Sequence, residues 1–202
     1  YKDLCYDMLP DENSILMYID KHHGFKDEAG NKHDYFDLIE EGYYTMEDIP
    51  HEWLTRRNNQ IQRDCAITHK PYLDVEKLRD GIHQIKYPIY HLDFESFPCP
   101  LPRFRGERAY MQSLFQFSLH IEREPGVCDK QKDHFEFLCK DHNDNRLELV
   151  KKLCEYIPDD GGSVLVYNEA FEKTRIKELA RFFSEYTVQL DNINSRLFDL
   201  MH

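Results

Sequence analysis

Ile89-Tyr90-His91-Leu92-Asp93-Phe94-Glu95 is the stretch on which the reading of this chain turns. Successive side chains of an extended strand point to opposite faces, so Tyr90, Leu92 and Phe94 line one side while Ile89, His91, Asp93 and Glu95 line the other. The two carboxylates sit side by side near the strand's carboxyl end, just before Phe97-Pro98-Cys99-Pro100 breaks it. The same period of two recurs downstream. Phe115, Phe117, Leu119 and Ile121 alternate with Gln116, Ser118 and His120, and Phe135, Phe137 and Cys139 alternate with Glu136 and Leu138, with a Pro125-Gly126 turn signal between them. Three sequential strands predict an antiparallel meander. Asp144 or Asn145 caps a helix striped by Leu147, Val150, Leu153, Cys154 and Ile157, which leads through Asp159-Asp160-Gly161-Gly162 to a short parallel strand, Val164-Leu165-Val166-Tyr167. Further helices are expected from about Ala170 to Phe183, and from Asp191 or Asn192 to the end. The order predicts an α/β fold, a mixed sheet of the meander plus a parallel strand, with flanking helices.

Upstream of Tyr87-Pro88 the apolar spacing is helical and comes in short pieces: Tyr35 to Ile39 ending near Gly42, Trp53 to Ile67, and Val75 to Ile85. The stretch from His22 to His33, rich in Gly, Lys and Asp, suits a hairpin or loop. Residues 1–86 are therefore expected as a mostly helical lobe without assigned chemistry, and 87–202 as the domain that carries the function. His22 and His23 are adjacent and read as a solvated pair rather than a metal site.

Asp plus Glu number 38 against 26 Lys plus Arg, a net charge of -12, which excludes a basic nucleic-acid scaffold. A hydrophobic share of 41% supplies a packed core and excludes disorder. No run approaches the roughly 18 apolar residues of a membrane-spanning helix. The six cysteines, Cys5, Cys65, Cys99, Cys128, Cys139 and Cys154, are scattered without zinc spacing and read as reduced thiols of a cytoplasmic protein, with Cys139 and Cys154 as small core residues. Tyr1 is no initiator and an apolar run ends at His202, so the chain reads as part of a longer protein with further domains.

In the helix after Tyr167, residues Glu172, Ile176, Leu179 and Phe183 share one face, so Glu172 heads the buried stripe and leans over the end of the strand that feeds it. Asp93 and Glu95 approach the same edge, where open α/β sheets place their sites. Three partly desolvated carboxylates repel one another unless a cation lies among them, and hard oxygen donors select magnesium or manganese. Two such ions about 3.5–4 Å apart hold a phosphodiester and activate water, so the spacing points to phosphodiester hydrolysis. His91, about 6.6–7 Å deeper along the strand than Asp93, reads as a hydrogen-bonded sheet histidine. Ser96 lacks the elbow motif of a nucleophile.

Leu92-Asp93-Phe94-Glu95 resembles the first motif of the DEDD 3'-to-5' exonucleases of the ribonuclease H-like fold, and Tyr167-Asn168-Glu169-Ala170-Phe171-Glu172 resembles their second. More closely, Tyr87 through Glu95, Pro102-Arg103-Phe104 to Phe115-Gln116-Phe117-Ser118-Leu119-His120, and Val166-Tyr167-Asn168 through Arg175-Ile176-Lys177-Glu178-Leu179 are similar to an uncharacterised bacterial domain-of-unknown-function family taken to be nucleases. The resemblance implies a ribonuclease H-like sheet truncated at its C-terminus. It implies that Asp93 bridges two Mg2+ or Mn2+ ions, that Glu95 binds the ion carrying the attacking water, that Glu172 serves the other through water, and that Asn168 orients the turn or caps the helix. Glu172 stands where the wider superfamily has Asp, and the third motif has no place before His202. Asp199 matches a structural position and not the final ligand, so weak metal binding and poor hydrolysis are expected of this fragment.

Arg103-Phe104-Arg105-Gly106-Glu107-Arg108-Ala109-Tyr110 is the one local concentration of positive charge beside aromatics. Guanidinium groups of Arg103, Arg105 and Arg108 suit phosphates, and Phe104 or Tyr110 suits stacking on an unpaired base; the alternative is a solvated loop whose Glu107 pairs with an arginine. The expected partner is single-stranded nucleic acid. Two other readings stand beside the exonuclease: a non-catalytic interaction module with a degenerate exonuclease fold, and a small-molecule phosphodiesterase, since an acidic surface offers a long polyanion little grip.

Overall fold

The computed structural model describes residues 7–20 and 24–201, and the chain divides between Val75 and Glu76. Cys5, His22 and His23 lie outside the described residues. In the first unit, β1 (Phe25–Lys26) and β2 (Lys32–His33) pair antiparallel as a hairpin. Asp27 holds its turn by accepting from the backbone and side-chain amides of Asn31, each at 2.8 Å. Helix α1 (Tyr35–Glu40) starts at Asp34, whose carboxylate accepts the otherwise orphaned N–H groups of Phe36 and Asp37. The segment expected as one helix from Trp53 is interrupted. Residues 51–53 form a single 3-10 turn, and α2 (Arg57–Thr68) begins only after Leu54, whose side chain is buried and whose carbonyl accepts from Gln60 Nε2 at 2.7 Å. Ile15, Phe25, Leu38, Ile49 and Leu54 close the core of this unit.

Helix α3 (Val75–Gln84) falls almost wholly in the second unit, so the division lies before this helix and not at Tyr87-Pro88. The sheet that follows has five strands in the order β5-β4-β3-β6-β7. Strand β3 (Ile89–Pro98) pairs antiparallel with β4 (Gln112–Glu122), which pairs antiparallel with β5 (His134–Leu138), so the meander is present. Helix α4 (Arg146–Tyr156) leads to β6 (Val164–Val166), parallel to β3. Helices α5 (Glu169–Phe182) and α6 (Thr187–Ser195) follow, and the chain returns as β7 (Leu197–Asp199), parallel to β6. This last strand corrects the expectation of a helix running to the end. Leu197 and Phe198 stand opposite Val164 and Leu165, and pairing with β6 satisfies backbone groups that would otherwise lie unmatched along its edge.

Tyr90, Leu92, Phe94, Phe117, Leu119, Ile121, Val164 and Val166 form one face of the sheet and pack against α4, α5 and α6 through Leu149, Leu153, Ile176, Leu179, Leu190 and Ile193. Each fully buried aliphatic side chain contributes about 1.5–3 kcal/mol. The period of two fails at one place. Glu95 pairs with Gln116 but Ser96 with Leu114, so Phe115 is an extra residue on β4, and Leu114 takes the core position expected for Phe115.

Strand β6 starts against the entry to β3. Ser163 N–H donates to the Lys86 carbonyl, its Oγ accepts from Lys86 N–H, and its own carbonyl accepts from Tyr90 N–H. This closeness requires glycine at 162, where a β-carbon would drive into the Pro88 carbonyl oxygen. Gly162→Ala is therefore expected to cost about 1–3 kcal/mol through overpacking, read as a lowered denaturation midpoint. Val188→Ala, at a side chain exposed to solvent, should stay within about 0.5 kcal/mol of the parent.

Candidate functional site

Strands β3, β6 and β7 run parallel, so their carboxyl ends share one edge. Tyr90 and His91 stand opposite Val164 and Leu165; two residues on, Asp93 is level with Tyr167, where β6 has already ended. Asp93 and Glu95 alternate with the buried Leu92 and Phe94 and are both exposed. Beyond β6 the chain turns sharply at Asn168, whose φ of 73° and ψ of 73° lie in the left-handed region that non-glycine residues rarely occupy. Asn168 makes no side-chain cap, contrary to one of the roles expected for it. Asp199 caps the helix instead: its carboxylate accepts from Asn168 N–H at 3.0 Å and Glu169 N–H at 3.1 Å, and from Met201 N–H at 2.9 Å.

Glu172 projects from the first turn of α5 and is 3% exposed. Its Oε2 atom is buried with no hydrogen-bond partner among the described residues. Burial is the main cause that holds this carboxyl above its ordinary range; its own amide partly offsets that, and the charges of Asp93 and Asp199 add to it. The charges of Asp93 and Asp199 thus both bear on Glu172. Glu95 is exposed and makes no side-chain hydrogen bond or ion pair among the described residues. Among those residues no three His, Cys, Asp or Glu side chains are gathered so as to hold one metal ion. Of the expected trio, Asp93 is the residue whose charge acts on Glu172. The additional neighbour is Asp199, whose strand the helical reading of its segment concealed.

The arginine-rich loop is pinned. Glu107 accepts from the backbone N–H groups of Arg103 and Phe104, from Ser113 Oγ at 2.7 Å, and from Arg146 Nη1 at 3.2 Å. Glu107 thus pairs with an arginine of α4, and both side chains are almost inaccessible. Arg146 also binds the carboxylate of Asp144 and the Arg105 carbonyl. Its guanidinium lies 5.0 Å from the ring centre of Phe104 and 4.6 Å from that of Phe182. Gly106, at φ +90°, lies close enough to the Phe182 ring that a β-carbon would collide with it. Phe104 carries Arg103 as well, at 5.0 Å, so its ring is occupied by two cations and is not open for a base. Arg103, Arg105, Arg108 and Tyr110 remain exposed, Tyr110 at 70%. Arg108 acts on Glu178, whose pKa burial raises and whose nearest cation is Arg175 at 3.0 Å.

His91 Nε2 lies 3.2 Å from Glu122 Oε2, and Ser96 Oγ donates to Gln112 at 2.9 Å, so both are committed within the sheet. Cys65, Cys99, Cys128, Cys139 and Cys154 are free thiols, and burial pushes Cys154 up to about 11. A cavity of about 380 Å³ in the first unit is lined by His51, Arg57, Asp64, Lys70 and Tyr72; its mixed charges include no convergent acids. A second, of about 240 Å³, adjoins the end of β3.

The chain belongs to the family described as Domain of unknown function (DUF2779), whose model matches residues 90–202, from β3 through β7. No curated protein and no solved structure matches the chain. Among the described residues, no helix is long and apolar enough to cross a membrane.

Between the ordinary glutamate value and the raised one, the folded chain holds a proton on Glu172 that the unfolded chain has lost, so stability falls as pH climbs through that window. In divalent-free buffer Glu172→Gln should remove this fall and leave the protein more stable than the parent near neutral pH, as read by denaturant titrations from pH 4 to 8. Glu178 contributes a fall of the same sign in both proteins, so the difference between the two curves isolates Glu172. Arg146→Leu strands Glu107 in the interior and is expected to cost about 3–5 kcal/mol, measured the same way.

Proposed function

We propose that the second unit, residues 76–202, belongs to a ribonuclease H-like domain that hydrolyses phosphodiester bonds of single-stranded nucleic acid with Mg2+ or Mn2+, as a 3'-to-5' exonuclease of a cytoplasmic protein. The observation that carries this reading is the buried, partnerless carboxylate oxygen of Glu172, set against Asp93 and Asp199 at the carboxyl edge of three parallel strands. A buried carboxylate with no cation beside it is costly, and it persists where a proton or a metal ion completes it.

The donor chemistry fits a hard divalent ion: carboxylate oxygens only, with the partnerless Glu172 Oε2 buried and Asp93 open to solvent. Asp93 and Glu172 are the residues that would hold it, and Glu95, exposed and unpaired on the same strand face, is free to turn toward them. Bound there, such an ion supplies charge neutralisation on the phosphoryl oxygens and a more acidic water. The protein's own part is positional. The Asp199 cap fixes the turn that aims Glu172, and β3, paired on both edges, fixes Asp93. Arg103 and Arg105 extend from the pinned loop as phosphate contacts, and Tyr167, 71% exposed beside Asp93, offers a stacking surface. The mixed order of the five strands supports the ribonuclease H-like assignment.

End-labelled single-stranded DNA and RNA incubated with the protein and Mn2+ should shorten, and Asp93→Asn or Glu172→Gln should each slow this by about 100-fold or more, equivalent to several kcal/mol of lost charge stabilisation. Mn2+ should also raise the parent's melting temperature while leaving that of Glu172→Gln unmoved. Cleavage that survives both substitutions would place the chemistry elsewhere. Absence of both cleavage and cation-dependent stabilisation favours the non-catalytic interaction module.

A further inference from the structure

We infer that the cavity of about 240 Å³ beyond the end of β3 is a subsite for one unpaired nucleobase, an inference that rests on the nuclease reading for its substrate class and adds where the strand is gripped. Phe97 lies two residues beyond Glu95 on the same face of β3 by alternation, so the cavity starts about 6.6–7 Å further along the strand than the nearer carboxylate. The Phe115 bulge turns that residue out of the core and brings its half-buried ring to 5.7 Å from Phe97. Arg103, exposed to solvent, lies over the Phe97 ring and must swing aside toward the phosphate before a base stacks there, as single-strand sites stack bases on such rings.

Size and charge select the occupant. At about 240 Å³ the cavity falls below the roughly 300 Å³ at which sites for drug-sized ligands begin, so it suits one planar ring and not a dinucleotide. Arg146 lines it, but its guanidinium is committed to Asp144 and Glu107. Asp141 also lines it and would repel a phosphate held inside. The guanidinium of Arg103, 4.7 Å from the Phe97 ring centre, makes no ion pair among the described residues. The lining therefore takes a neutral aromatic ring, with one cation placed for the phosphate attached to it. Asn143 and Asn145 also line the cavity; both donate their side-chain N–H to Asp141, which leaves amide oxygens as acceptors for a base edge.

The test uses the Asp93→Asn protein in EDTA, so that cleavage cannot alter the probes. A labelled ten-residue single strand and an equally long strand made wholly of abasic residues are titrated by fluorescence anisotropy. The intact strand should bind about 5- to 150-fold more tightly than the abasic one. Adding Phe97→Ala should remove that difference, and Phe97→Tyr should keep it. Equal or undetectable binding of the two probes overturns the inference, as does a difference that Phe97→Ala leaves unchanged. If Phe97→Ala does not fold, the comparison of probes on the Asp93→Asn protein, together with Phe97→Tyr, decides alone. Base discrimination in a protein whose parent never cleaves with Mn2+ would sustain the subsite and sink the nuclease reading; cleavage without base discrimination would do the reverse.

Discussion

Strand β3 is hydrogen-bonded along both edges, antiparallel to β4 and parallel to β6, and this double pairing governs what happens at its carboxyl end. A strand buried between two others has its backbone groups satisfied and its register specified, because a slip by one residue would turn Leu92 and Phe94 to solvent and Asp93 and Glu95 into the core. Strands β6 and β7 are only three residues each. They end where β3 still continues, and the chain must leave the sheet at once. The left-handed turn at Asn168 makes that exit, and Asp199 stabilises it by taking two amide hydrogens that α5 leaves without partners. One acid at this edge is thus structural, and its charge raises the cost of the buried Glu172 beside it.

The domain buries two glutamates in opposite ways. Glu107 is surrounded by donors: two backbone amides, a serine hydroxyl and the Arg146 guanidinium. Its desolvation is offset, and the result is a rigid strut that fastens the 103–110 loop to the first turn of α4. Glu172 is similarly inaccessible but has an orphaned oxygen and anionic neighbours. Removing a carboxylate from water costs several kcal/mol after relaxation, so the second arrangement works against stability where the first does not. A fold that already caps α5 with Asp199 has no structural need for a buried acid at 172. The contrast between the two sites, more than the presence of acids at a strand end, is what the proposed role of Glu172 rests on.

Much of this was legible in the chain. The alternation in 89–95 and 135–138, the stripe Glu172-Ile176-Leu179, and the short apolar run at 164–166 each report burial on one face of an element, and periodicity reports that directly. What stayed hidden depends on partners distant in sequence. Leu197-Phe198-Asp199 is too short for its period to tell strand from helix, and only the open edge of β6 makes it a strand. The Phe115 bulge is a property of two strands together and leaves no mark on either alone. In the loop, the concentration of arginines was plain, but Arg146, thirty-nine residues from Glu107, was the cation that mattered. An isolated arginine preceding a helical stripe carries no signal of burial. Glu95 shared its strand face with Asp93 as the alternation required, yet alternation fixes a face and not whether a side chain meets a helix arriving from β6.

The charge of the whole chain then bears on how a nucleic acid would be held. At a net charge of -12, with carboxylates concentrated at the very edge where cleavage is proposed, the long-range field opposes a polyanion. Phosphate contacts alone would give weak, salt-sensitive binding, and the cations near the edge are few: Arg146 is consumed by the strut, and Arg108 is drawn to Glu178. Stacking does not share this weakness, because every base has a neutral face and its contribution is little screened by salt. The half-buried rings of Phe97 and Phe115 lie at the end of β3 and the exposed ring of Tyr167 level with Asp93, where the backbone charges would otherwise be repelled. For the proposed substrate, gripping bases first and leaving the phosphate to divalent ions would reconcile this composition with nucleic-acid binding, and unpaired strands are the form in which those bases are available.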